Sequence, residues 1–191
     1  PFAVSINLVD IPKGRKKHVG DVPLIGGISM FLGIVISILT SPYDLNQFSY
    51  FILVALIILI IGVLDDHRNI SVSLRLFFQV LVGIIVVSAG DLSLKSLGNI
   101  TGSGNLVLNQ WGYFISVIAI ILGMNAVNMA DGIHGLAGGN SLITFVAILY
   151  LSIDSLVSES LLIVLLFCSV LPVFLIHNLC LGIATSKRIF M

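Results

Sequence analysis

Two aspartates stand side by side where a long apolar run ends, in Gly62-Val63-Leu64-Asp65-Asp66-His67-Arg68-Asn69. Charge at the edge of a hydrocarbon layer is costly enough to be a functional lead in its own right. Paired carboxylates can hold Mg²⁺ directly or through water. They can also divide their roles, because each negative charge raises the other group's pKa and leaves one carboxylate able to act as a base. The structural alternative is interfacial anchoring, with Asp66 answered by Arg68 or Arg75.

A second constellation runs from Asn125 through Asn128, Asp131, His134 and Gly135 to Gly139. Asn125, Asn128 and Asp131 are three residues apart, a spacing that puts them on one face of a helix. Amides and a carboxylate on one face can ligate a hard cation or read a polar head group. The glycines that follow let backbone approach a ligand closely. A helix-packing face would also use those glycines, but it leaves two Asn and an Asp unexplained. A third segment, Val9-Asp10-Ile11-Pro12-Lys13-Gly14-Arg15-Lys16-Lys17-His18, is basic. It suits a lipid phosphate or a nucleotide diphosphate, and equally a cluster that orients the chain on anionic lipid. His177-Asn178 and Lys187-Arg188 close the set.

These residues need elements to hold them, and the composition limits the choice. Of 191 residues, 58% are hydrophobic and 9% charged, with mean hydropathy +1.16. A water-soluble domain carries about a quarter charged residues, so the bilayer is the simpler solvent for this chain. Helices are the natural spanning form, because lipid offers no partner to backbone N–H and C=O groups. The apolar runs are continuous, which excludes the alternating pattern of a membrane β-barrel. The formal net charge is zero, so no nucleic-acid partner is expected. Cys168 and Cys180 read as reduced, packed cysteines with no metal-type spacing.

Six apolar segments follow, from Gly26 to Thr40, Phe48 to Leu64, Val72 to Ala89, Gly112 to Ala130, Ser141 to Leu151 and Ser160 to Ile176. A span takes about 20 residues, with a range near 17–25, so the first and fifth are short and are expected to extend into the flanking glycines. If alternate connections face the cytoplasm, eight of the nine Lys and Arg lie inside, as the positive-inside rule requires. Asp65, Asp66, Asp131 and all four histidines then share the cytoplasmic face. The expected fold is an all-α polytopic transmembrane helical bundle of about six spans.

In order along the chain, these segments resemble the polyprenyl-phosphate N-acetylhexosamine-1-phosphate transferases, the WecA/MraY superfamily, in its WecA-like branch. The matching pieces are Val9-Asp10-x-Pro12, Arg15-Lys16-x-His18, Pro23-Leu24-x-Gly26-Gly27, Gly62-x-x-Asp65-Asp66, Asn125-x-x-Asn128-Met129-x-Asp131-Gly132-Ile133-x-Gly135-Leu136, and Asn178-Leu179 with Phe190-Met191. Each alone is weak, and the ordered set is specific.

The resemblance implies a bacterial inner-membrane enzyme with its site on the cytoplasmic face. It would move a sugar-1-phosphate, by analogy N-acetylglucosamine-1-phosphate, from a UDP-sugar to undecaprenyl phosphate and release UMP. Mg²⁺ is the implied cofactor, with Mn²⁺ as a substitute. A second copy of the chain stays open as a partner. Asp65 and Asp66 are the implied catalytic residues beside the lipid phosphate. Asn128 is an implied metal ligand, with the main aspartate ligand expected beyond Met191. Asn125, Asp131, His134, Asn178, Arg15, Lys16 and His18 are the implied substrate-binding residues.

Two positions depart from the family pattern. Asn69 stands where many members have a third acid. His134 stands where members of this branch usually have Asp, and an imidazole there would weaken binding or make it pH-sensitive. Residues 1–191 read as one transferase domain truncated at both ends. The competing readings are a truncated, inactive member that only binds lipid or nucleotide, and a small transporter or channel subunit. A transporter would carry polar residues along the middle of several helices; here the charges gather at one face.

Overall fold

The computed structural model describes residues 9–10, 22–23, 25–68, 70–90, 92–132, 135–154 and 158–179. Among the described residues six helices carry the fold: α1 Gly26–Leu39, α2 Leu45–Arg68, α3 Val72–Ala89, α4 Trp111–Ala130, α5 Leu136–Ser152 and α6 Ser158–Asn178. A two-residue antiparallel ladder, β1 Val9–Asp10 with β2 Val22–Pro23, precedes them. The chain is all-α and polytopic, as expected. Four helices (α2, α3, α4 and α6) have the length and apolar character to cross a membrane. α1 and α5 are apolar but shorter, at 14 and 17 residues. Their lengths of about 21 and 25 Å fall short of a hydrocarbon core of about 30 Å.

Local chemistry accounts for the helix ends. Asp44 Oδ1 accepts from Asn46 N at 3.0 Å as α2 begins. Ser71 caps α3 by accepting from Leu74 N at 3.3 Å. α5 starts further upstream than its apolar run, because Ala137-Gly138-Gly139-Asn140 winds into its first turns. Hydroxyls within the apolar helices fold back on the preceding turn, as Ser37 does on Gly33 O and Ser169 on Leu165 O. This leaves little polar surface for lipid to meet.

The chain divides into two compact units, residues 1–68 with 130–191, and residues 69–129. In the first unit the core is Ile34, Ile38 and Phe48, ringed by residues of α2 and α6 that include Phe51, Leu162, Phe167 and Val170. Phe167 joins three helices. It meets Phe51 edge-on at 6.3 Å and stacks on Phe145 of α5 at 4.4 Å, with ring planes 5° apart. Near the start of α5, a Cβ on Gly138 would stand 3.1 Å from both Phe174 and Leu175, so glycine eases this close approach of α5 to α6. The end of α1 therefore meets the beginnings of α2 and α6. Gly27 faces Leu59, and the start of α5 meets the end of α6.

In the second unit, α3 and α4 approach through Gly83, where a Cβ would lie 3.2 Å from Val117 Cγ1. The segment between them, 92–110, is a small hairpin bridged at Ser96 and Val107.

Candidate functional site

The helix directions within the first unit decide which motif residues share an end. α2 and α6 begin together at the Phe48 cluster, so both finish at the opposite end. Asp65, Asp66 and His67 occupy the last turn of α2, and Asn178 is the last residue of α6. α1 and α5 run the other way, so Gly26-Gly27 and Gly135-Leu136 lie at this same end. Asp131-Gly132 forms the turn that leads toward α5. Four separated stretches of sequence thus supply one end of the unit.

Their exposure differs in a way that suits distinct roles. Asp65 is half-buried, while Asp66 and Asp131 are exposed. Asn178 is 4% exposed, an amide held inside the protein. Asp65 stands about 9 Å further along the axis of α2 than Leu59, the residue that faces Gly27. The carboxylate pair is therefore carried past the start of α1 to the rim of the unit.

Gly135 fixes the approach of the Asp131 turn. It is the N-cap of α5 with φ of +75°, a left-handed conformation that suits glycine. A Cβ there would lie 2.6 Å from Leu179 Cδ2. The glycine thus seats the turn directly against Leu179, the residue after Asn178. The Asp131–Leu136 and Asn178-Leu179 motifs, far apart in sequence, meet at this corner.

Asn125 and Asn128 belong to the second unit, on the last turns of α4. The expected shared face covers only these two residues. The helix ends at Ala130, and Asp131 lies in the turn beyond it. Asn128 is exposed. Asn125 is half-buried, and its Nδ2 donates both to Gln79 Oε1 at 2.8 Å and to Ile121 O at 2.9 Å. Both hydrogens of that amide are in use, so Asn125 ties α4 to α3. Gln79 escaped the reading of the sequence. Its signal is a lone amide in an otherwise apolar span, and it is 5% exposed. Arg15, Lys16, His18 and His134, all expected at the site, lie outside the described residues.

Among the described residues no group of three or more His, Cys, Asp or Glu comes together. Besides the imidazole of His67, the donors present at the first unit's end are carboxylate and amide oxygens, the chemistry a hard cation prefers. Mg²⁺ commonly takes only one or two protein carboxylates and fills its shell with water and substrate phosphate. The arrangement therefore fits a divalent cation whose remaining ligands come from a phosphate substrate. A phosphate approaching Asp65 and Asp66 unaided would meet two like charges.

Comparison with known proteins places this geometry in a family context. The sequence profile described as "Glycosyl transferase family 4" matches residues 48–191. The chain is 39% identical over 191 residues to the undecaprenyl-phosphate alpha-N-acetylglucosaminyl 1-phosphate transferase of Escherichia coli strain K12, covering 99% of this chain and 51% of the relative. It is 41% identical over 143 residues to the protein of that name from Yersinia pestis, covering 75% and 39%. Against that of Haemophilus influenzae strain Rd it is 38% identical over 198 residues, covering 100% and 54%. The chain spans about half the length, or less, of these curated relatives. No solved structure matches it.

Proposed function

Because this chain belongs to glycosyl transferase family 4 and is a multi-pass membrane protein, we propose that it forms part of an enzyme that moves a sugar-1-phosphate from a UDP-sugar to undecaprenyl phosphate. The observation that carries this reading is the gathering of Asp65-Asp66, the Asp131 turn and Asn178 at one end of a membrane-embedded unit. A lipid phosphate and a soluble nucleotide sugar can meet only at such a membrane boundary. The relatives are named for N-acetylglucosaminyl 1-phosphate transfer to undecaprenyl phosphate, and UDP-N-acetylglucosamine is accordingly the donor proposed. A family of lipid-linked sugar transferases also replaces the transporter reading.

In the proposed reaction an oxygen of undecaprenyl phosphate attacks the β-phosphorus of the UDP-sugar. The bond from that phosphorus to the bridging oxygen breaks, UMP leaves, and a polyprenyl diphosphate sugar forms. Phosphoryl transfer of this kind depends on positioning and charge stabilisation. Asp65 and Asp66 orient the acceptor phosphate, and one of them takes its proton when it arrives protonated. Asp131 and the buried Asn178 frame the nucleotide. Asn128 would help hold Mg²⁺, which when bound would neutralise the diphosphate. Arg15, Lys16, His18 and His134 would steer and read the anionic donor. By the distribution of Lys and Arg, this end faces the cytoplasm of the bacterial inner membrane.

The test uses the full open reading frame that carries this chain, purified in detergent with undecaprenyl phosphate, UDP-N-acetylglucosamine and Mg²⁺. UMP release is expected, with Asp65→Asn and Asp66→Asn lowering it by about 10²–10⁴-fold, the range for loss of an acid–base group. Full activity in both variants would remove the carboxylate pair from the reaction.

A further inference from the structure

The segment 92–110 has no part in the proposed chemistry, yet it is built with care. Leu97 N donates to Leu106 O at 3.0 Å, Leu106 N to Gly98 O at 2.9 Å, and Leu108 N to Lys95 O at 3.0 Å. Gly98, Gly102 and Gly104 take positive φ through the turn, and Asn99 Oδ1 accepts from Gly104 N at 3.1 Å. Cross-strand pairs therefore satisfy much of the hairpin's own backbone, which is the condition for occupying a place where water is scarce.

The hairpin does not stand away from the helices. Leu94 N donates to Ser116 Oγ at 2.7 Å, and Ser116 in turn donates to Gly112 O at 2.7 Å. A Cβ on Gly112 would collide with Leu94 O, so only glycine admits this strand. Ser116 lies about 7.5 Å along the axis of α4 from Trp111, its first residue. The first strand thus runs beside the opening turns of a membrane-spanning helix, at the depth where that helix enters the bilayer.

Among its polar side chains the hairpin exposes large apolar ones. Ile100 is 68% exposed and Val107 60%, and Leu92 is likewise exposed. Trp111, 64% exposed, and Phe114 are also exposed on the opening turns of α4, beside which the first strand runs. Lys95 is the single charged residue in 92–110. Leucine and isoleucine beside an interfacial tryptophan, with one lysine free to extend toward headgroups, is the composition of a membrane-interface element.

We propose that this hairpin is seated in the bilayer at the boundary between lipid headgroups and acyl chains, and so anchors the α3–α4 unit at that face of the membrane. The occupant of its exposed apolar side chains is lipid, because the first strand is bonded to the opening turns of a helix with the length and apolar character to cross the membrane.

The test places a nitroxide spin label at Ile100→Cys and, separately, at Val107→Cys. The native cysteines are replaced, and the full-length protein is reconstituted in phosphatidylethanolamine–phosphatidylglycerol vesicles. Phe114→Cys serves as the lipid-facing reference. Collision with dissolved oxygen and with a water-soluble nickel complex is then compared. At both positions oxygen is expected to be favoured and nickel excluded, as at Phe114. Nickel favoured at either position would show a hairpin in water and overturn the proposal. Protection from both reagents would show a protein surface, a second copy or another chain, and would overturn it equally. Leu92→Cys replaces either position if that variant fails to elute as the parent does.

Discussion

Replacing Gln79 by leucine isolates one interaction that the fold makes and the sequence hides. Gln79 Oε1 accepts one hydrogen of the Asn125 amide at 2.8 Å, and the other goes to Ile121 O at 2.9 Å. Gln79 is buried and Asn125 half-buried on a helix apolar enough to cross the membrane, so losing the glutamine takes from Asn125 the acceptor of one of its hydrogens. Hydrogen bonds between membrane helices average about 0.6 kcal/mol and reach about 1.7. Because Asn125 is half-buried, its orphaned donor adds only the low end of the buried-group penalty, about 1 kcal/mol. Gln79→Leu is expected to destabilise the protein by about 1–2 kcal/mol. Asn125→Leu strands the glutamine amide in the same way. In Gln79→Leu with Asn125→Leu both amides are gone, and the loss should be smaller than the sum of the two singles by about 1 kcal/mol. Unfolding in mixed detergent micelles, followed by circular dichroism, measures all four corners of the cycle. Losses that add within about 0.3–0.5 kcal/mol would refute the coupling. Activity separates the two roles of Asn125. If it also touches the donor sugar nucleotide, Asn125→Leu lowers UMP formation while Gln79→Leu, of similar stability, does not.

Gly135→Ala forces a left-handed alanine, at about 1–2 kcal/mol, and drives its methyl into Leu179. Adding Leu179→Ala should relieve the collision and leave the backbone term, read as a partial recovery of the thermal midpoint. Ser116→Ala removes the acceptor for Leu94 N, and should loosen the hairpin by about 1–3 kcal/mol, seen as faster proteolytic cleavage within 92–110. Phe167→Ala deletes the ring stacked on Phe145 and edge-on to Phe51. A loss of about 3–5 kcal/mol is expected, and denaturation midpoints unchanged from the parent would count against Phe167 as the joint of the first unit.

The spans were largely legible from composition, because a run of apolar residues long enough to cross lipid has few other uses. The short fifth run was expected to extend into its flanking glycines, and α5 does begin at Leu136, with Gly138 packed against Phe174 and Leu175. The spacing of Asn125, Asn128 and Asp131 read as one helical face. Asp131 instead leads out of the helix, where the turn must reach the left-handed Gly135. Gln79 was invisible because one amide barely changes the hydropathy of an eighteen-residue span. Its meaning depends on a partner 46 positions away. The meeting of Gly135 with Leu179 is likewise a property of helix direction, which no local pattern records. The family motifs named these residues by resemblance; the packing at Gly135 supplies a physical reason for two of them to act together.

The central claim is that the sugar and its phosphate travel together onto the lipid. It is tested most directly with UDP-N-acetylglucosamine carrying radioactive phosphorus in its β-phosphate, supplied to the full-length protein with undecaprenyl phosphate. The account predicts that the label moves into the organic phase on a polyprenyl diphosphate sugar while the released UMP stays unlabelled, and that Asp66→Asn stops the transfer. Label left in a released nucleotide diphosphate, with only the sugar reaching the lipid, would contradict it.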